Sequence, residues 1–303
     1  MNKDIFFKLD SLINSDSIGV ENSNSITIRT GDFFIKLVGM KSFFLEVAEK
    51  YYSDFIYEQK PADLELIIIE KTFNEEFFLA LPKENEKMGY KGFELNERYL
   101  ISSQFFCGGV KGNKGIFLLN LIDKNLWDVT LQNILQISGA WLANQNGGFL
   151  IHSLGVAKDE KSYLLYGPSG AGKSTASAML DDFELMSDEM NMILPQGNTI
   201  RVCSVPYISG ERRKDFSRKN SLRDFPLSAS FSLVQSRQNR KNKLRLTETL
   251  QRMLPCIPYV HDYKTLRKEI FKNLPALLEN ILNYDLEFDL SGSMKCLVND
   301  QEG

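Results

Sequence analysis

The residues with the strongest chemical content are Gly167, Pro168, Ser169, Gly170, Ala171, Gly172, Lys173, Ser174 and Thr175, which read GPSGAGKST. The first eight fit G-x-x-x-x-G-K-[ST], a pattern whose backbone N–H groups cradle the phosphates of a nucleoside triphosphate. Glycines at 167, 170 and 172 let the chain turn several N–H groups inward without steric cost. Lys173 is placed to reach the β- and γ-phosphates, and Ser174 to offer its hydroxyl to Mg²⁺. A helix starting near Lys173 adds its partial positive charge at the same point.

Asp188 and Glu189 follow 15 and 16 residues after Lys173. That spacing leaves room for one short helix and a tight return, which brings both acids back to the loop. An acid there can hold Mg²⁺ or accept a proton from an attacking hydroxyl; on the plainer reading the two are surface carboxylates on a turn. His152, one of only two histidines, lies 15 residues before Gly167 in a strand-like run. A hairpin there carries it toward the γ-phosphate end, whereas a lone strand histidine is otherwise a hydrogen-bonded core residue. His261 has no such context and reads as structural. Basic stretches at 211–223 and 236–245 read as solvated loops, unless Arg212 or Arg213 contacts a phosphoryl group or an acidic substrate with its fork of donors.

The elements that must position these groups can be read from periodicity. Runs 148–157 and 161–167 are strand-like and separated by the polar turn KDE, which predicts a hairpin feeding the loop. A short helix over 173–181 leads to apolar runs at 183–194 and 199–206. Strand, turn, strand on both sides of the loop differs from the alternating βαβ rhythm of a doubly wound sheet, so a mixed or antiparallel sheet is expected. Further on, the pattern predicts a buried strand over 226–235, a helix over 264–282 and a closing hairpin from YDLEFDL to MKCLV. Upstream, strands are expected over 26–38, 64–70, 98–106 and 115–122, the last two joined by the turn-rich GGVKGNKG. Helices are expected over 42–59 and 126–143. These elements divide into an α+β N-terminal domain, 1–125, suited to substrate or partner recognition, and a second domain, 126–303.

Composition narrows the classes. The 303 residues carry a net charge of −3, with 43 % apolar and 25 % charged residues, an ordinary globular profile. Nothing global points to nucleic acid or an anionic membrane, and neither basic stretch has the interleaved aromatics of a single-strand platform. Cys107, Cys203, Cys256 and Cys296 are widely separated, which excludes a zinc knuckle and fits buried thiols in a reducing cytoplasm. The apolar patch of MNKDIFFKLDSL is interrupted by Lys8 and Asp10, unlike a secretory signal, and no run reaches the length of a membrane span. A cytoplasmic protein is expected; a homo-oligomer is left open.

The histidine on a strand, the turn, GPSGAGKS, one short helix and the acids of LMSDE together resemble the catalytic domain of HPr kinase/phosphorylase over residues 145–300. The resemblance implies a phosphoenolpyruvate-carboxykinase-like P-loop fold, with ATP and Mg²⁺ held along Gly167–Ser174. It implies that Asp188 is the base that deprotonates a substrate serine, that Glu189 lies near the metal, and that His152 is the family's active-site histidine. Two positions depart from the family: Thr175 stands where a glutamate usually follows the loop serine, and Glu189 where a second aspartate is usual. Residues 1–125 match no motif of HPr kinases, so an acceptor other than HPr, a protein or peptide serine, is expected. Two other functions remain open from the residues alone. One is carboxykinase chemistry on a carboxylic acid, and the other is a nucleotide-sensing module without transfer activity.

Overall fold

Phe33–Val38 alternates buried and half-buried residues, the mark of a strand with one face on a core. It belongs to a computed structural model that describes residues 3–14, 24–58, 60–70, 75–81, 89–120, 126–197, 199–207, 221–289 and 294–299. The chain divides into two units, Met1–Leu142 with His261–Arg267, and Ala143–Val260 with Lys268–Gly303. Helix 127–145, which sequence placed at the start of the second domain, thus lies mostly in the first unit.

The first unit runs α1 (Asp4–Ile13), β1 (Ser25–Thr30), β2 (Phe33–Val38), α2 (Ser42–Tyr52), β3 (Leu64–Glu70), β4 (Tyr90–Leu95), β5 (Arg98–Ser103), β6 (Phe106–Lys111), β7 (Lys114–Leu119) and α3 (Trp127–Gln145). Its strands form one sheet in the order β1-β2-β3-β7-β6-β5-β4. β2, β3 and β7 run parallel and the remaining neighbours antiparallel. Phe6, Leu9 and Ile13 of α1 pack on Ile69, Leu100, Cys107 and Leu118, burying one face of this sheet.

Two expectations fail here for identifiable reasons. The run 26–38 is a hairpin rather than one strand, because Gly31 turns the chain at φ 61°. GGVKGNKG is not a connecting turn throughout, since Gly108 and Gly109 lie inside β6. A Cβ on Gly108 would come within 2.1 Å of the Ile116 carbonyl oxygen, so this glycine serves close strand approach.

The second unit runs β8 (Phe149–Lys158), β9 (Lys161–Tyr166), α4 (Lys173–Met179), β10 (Glu184–Ser187), β11 (Met190–Gln196), β12 (Thr199–Cys203), β13 (Phe225–Gln235), β14 (Arg240–Lys243), α5 (Leu246–Met253), α6 (Lys264–Leu278), β15 (Leu282–Phe288) and α7 (Met294–Asn299), the first turn of α6 belonging to the other unit. β8 and β9 are the expected antiparallel hairpin. β9 then pairs parallel with β13, and β13 parallel with β15, so the sheet is mixed. The pairings close a circuit β8–β9–β13–β12–β11–β8, which leaves these five strands few open edges.

Odd and even residues of β9, β13 and β15 serve different purposes. Tyr163, Leu165, Phe231, Leu233, Tyr284 and Leu286 form a core with Ala176 and Leu180 from the α4 segment and Met294 and Val298 of α7. The intervening Tyr166, Ser230, Ser232, Asn283 and Asp285 face the other way, where α5 packs on β13 and β15. The closing hairpin expected from MKCLV is therefore α7. β15 already has β13 and β14 on its two sides, and Met294 and Val298, four residues apart, enter the core as one helical face.

Candidate active site

β9 ends at Tyr166, and Gly167–Gly172 forms a loop that enters α4. Gly170 and Gly172 have φ of 82° and 101°, a region that side chains with a Cβ rarely adopt. A Cβ on Gly172 would also meet Phe288 Cζ at 2.6 Å, so glycine is required there twice over. The loop is tied down by Ala171 N–H donating to the Pro168 carbonyl at 3.1 Å, and by Gln235 Nε2 donating to the Gly170 carbonyl at 2.7 Å. Pro168, Ser169, Gly170 and Ser174 are exposed, Lys173 and Thr175 half-buried.

Lys173 Nζ donates to the Gly167 carbonyl at 2.9 Å, folding the ammonium back over its own loop. Burial lowers its pKa, against the opposing pull of Cys256 and Glu189. Asp188 and Glu189 stand half-buried at the break between β10 and β11. That break lies beside β8, where Met190 pairs with His152. His152 Nδ1 is 3.9 Å from Glu189 Oε1. Burial holds the imidazole down at about 4, the Lys173 charge adds to this, and Asp188 works the other way. The ring is therefore neutral at pH 7, and its approach to Glu189 is not an ion pair under those conditions.

One cavity, about 870 Å³, opens on this arrangement. His152, the loop from Gly167 to Ala171, the end of β13 at Ser232–Gln235, and Gln251, Arg252 and Cys256 line it. Arg252 had no distinguishing mark in the sequence. It reaches the cavity because α5 lies on β13 and β15, and its Nη2 donates to Asp285 Oδ2 at 2.6 Å. Asp285 Oδ1 and the Tyr166 hydroxyl are buried beneath this ion pair, and burial raises the pKa of both groups. Burial raises the Cys256 thiol pKa, partly offset by Lys173 and by the Gly167 backbone. Cys107, Cys203 and Cys256 are buried thiols that form no disulfide among the described residues.

The fold thus brings His152, the glycine-rich loop, Lys173, Asp188 and Glu189 to one end of the β8–β9 hairpin. Arg212 and Arg213 lie outside the described residues. Ser174, Asp188 and Glu189 offer only oxygen donors, and at least partly accessible ones, a donor set that suits Mg²⁺ better than a thiophilic ion. Among the described residues, no helix is long and apolar enough to cross a membrane.

The model of the family described as SynChlorMet cassette protein ScmC matches residues 118–300. The chain belongs to this family. Its match takes in all of the loop, the acids, His152 and Arg252, so the whole cavity falls inside the shared region. Among curated proteins none matches the chain. A solved structure of the Hpr(Ser) kinase/phosphatase from Coxiella burnetii is similar at 16 % identity and a TM-score of 0.29, covering 50 % of this chain and 94 % of that one.

Proposed function

We propose that the chain is an ATP- and Mg²⁺-dependent phosphotransferase that moves the γ-phosphoryl group to a hydroxyl, that of a serine in a protein or peptide. The observation that carries this reading is the convergence of a glycine-rich loop, Lys173, two acids and a neutral histidine, with a cavity opening on the loop and the histidine. Phosphoryl transfer asks little covalent chemistry of an enzyme beyond in-line positioning, charge neutralisation and a base.

Each residue has a separate task in this reading. Lys173 exchanges its bond to the Gly167 carbonyl for phosphate oxygens, so the charge is stored close to where it is used. Arg252, held by Asp285, adds a second cation at the cavity lining. Ser174, Asp188 and Glu189 would hold Mg²⁺, which when bound neutralises charge on the phosphates. Asp188 accepts the proton of the acceptor hydroxyl, and His152, neutral at pH 7, orients the acid pair through Glu189. Thr175 in place of the glutamate usual in HPr kinases agrees with an acceptor other than HPr. Because the family is described by its cassette, the acceptor is best sought among the other products of that cassette.

The test is incubation of the full chain with γ-labelled ATP, Mg²⁺ and each cassette product in turn. Transfer of label to one of them, blocked by Lys173→Ala, is the expected result. Binding of ATP without any labelled product would leave a nucleotide sensor, and absence of ATP binding would end the reading altogether.

A further inference from the structure

Asn191 is fully buried on β11, two residues beyond the acid pair. On one side of that pair Ser187 is in register with Gly155 of β8, and on the other Met190 is in register with His152. Asp188 and Glu189 fall between these two registered pairs, at the break where β10 ends and β11 begins. Buried backbone groups left by such a break need other partners. The Asn191 side-chain amide spans the break: Nδ2 lies 2.8 Å from the Ser153 carbonyl, 3.0 Å from Ser153 Oγ and 3.4 Å from the Ser187 carbonyl, donating to oxygens on both strands. Ser187 extends the network, its Oγ donating to the Tyr207 carbonyl at 2.7 Å and accepting from Glu189 N–H at 3.2 Å.

Space for this amide is made by a glycine. A Cβ on Gly155 would lie 2.1 Å from Asn191 Oδ1 and 2.7 Å from Asn191 Cγ. Gly155 does not have a positive φ, so its lack of a side chain answers to the amide and not to the backbone. The break in the ladder, the amide that bridges it and the glycine that admits the amide form one device.

We propose that Asn191 is a positioning residue that holds Asp188 and Glu189 away from the β8 ladder, at the geometry the transferring phosphoryl group requires. This rests on the reading of the acids as the base and metal side of a phosphotransferase site. A shift of the acids by about 1 Å would cost on the order of a hundredfold in transfer while leaving the loop's hold on phosphate intact.

A size swap separates positioning from packing. Asn191→Ala leaves a hole, Gly155→Ala pushes the amide aside, and the double variant fills the hole with the new methyl but restores no hydrogen bond. The measurements are hydrogen exchange of the 184–194 segment, affinity for a non-hydrolysable ATP analogue, and ADP formation from ATP and Mg²⁺ with water as acceptor. The double variant is expected to melt no lower than Asn191→Ala alone, to bind the analogue within about twofold, and yet to lose exchange protection around Asp188 and at least tenfold in turnover. Recovery of both protection and turnover in the double variant would overturn the proposal, since the amide would then only fill space. If the wild type turns over no ATP with water, the phosphotransferase reading is left to the acceptor experiment above. Exchange then decides alone: lost protection in the double variant upholds the prop, and retained protection refutes it.

Discussion

His152 Nδ1 approaches Glu189 Oε1 to 3.9 Å at the point where β8 and β11 meet, with Met190 in register with the histidine. The ring is held neutral there by burial and by Lys173, titrating at about 4 instead of 6.5. Between those two values the unfolded chain binds a proton that the folded chain refuses, so folding stability rises with pH across that window. The His152 contribution is complete above pH 6.5 and is lost as pH falls toward 4. Without added metal, the difference in melting temperature between wild type and His152→Gln should therefore narrow on acidification from pH 7 to pH 4.5. A difference that stays constant with pH would show that the imidazole titrates normally in the folded protein.

Asp188→Asn keeps the size of the side chain and removes the base. In the proposed reaction its turnover should fall by about 10²–10⁴, the range for loss of a general base. Affinity for ADP, measured without metal, should change little because the loop amides and Lys173 are untouched. Wild-type turnover in this variant would move the base to another group.

Arg252 and Asp285 should behave as a unit, since Arg252 Nη2 lies 2.6 Å from Asp285 Oδ2. Arg252→Gln should weaken triphosphate binding by about tenfold, roughly the 1.4 kcal/mol of one exchanged charge-assisted bond. Asp285→Asn should act in the same direction and add little in the double variant. Arg252→Lys should not rescue, because an ammonium lacks the planar fork that can serve Asp285 and a phosphate together. Titration calorimetry with ATP on the wild type and these four variants checks this; equal affinities would remove Arg252 from the site.

The contrast between Arg252 and the loop shows what the sequence could carry. Gly167–Ser174, Asp188 and His152 were legible because their spacing along the chain is short and one hairpin plus one helix is enough to gather them. Arg252 sits in TETLQRM, an ordinary amphipathic pattern, and gains its place only from a partner 33 residues later on β15. Asn191 was invisible for a similar reason: its importance lies in a missing stretch of ladder and in Gly155, facts of strand register. Met294 and Val298 were misread as strand because a stretch as short as the five residues MKCLV fits both periods, and only the occupied sides of β15 decide for helix.

Glycines 170 and 172 separate two effects that sequence cannot. Both hold positive φ, 82° and 101°, but a Cβ on Gly170 meets nothing within 4 Å, whereas one on Gly172 meets Phe288 at 2.6 Å. Gly170→Ala therefore carries only backbone strain, about 1–2 kcal/mol for a left-handed alanine. Gly172→Ala carries similar strain and also displaces Phe288 from the core that α4 and α7 share, so its loss of stability should be larger by about 1–3 kcal/mol. Chemical denaturation of the two variants measures the difference directly. Phe288→Leu in the Gly172→Ala background should recover part of it, because the clash is with the far edge of the ring. If the two glycine variants lose equal stability, Phe288 yields without cost and backbone conformation alone demands glycine at 172.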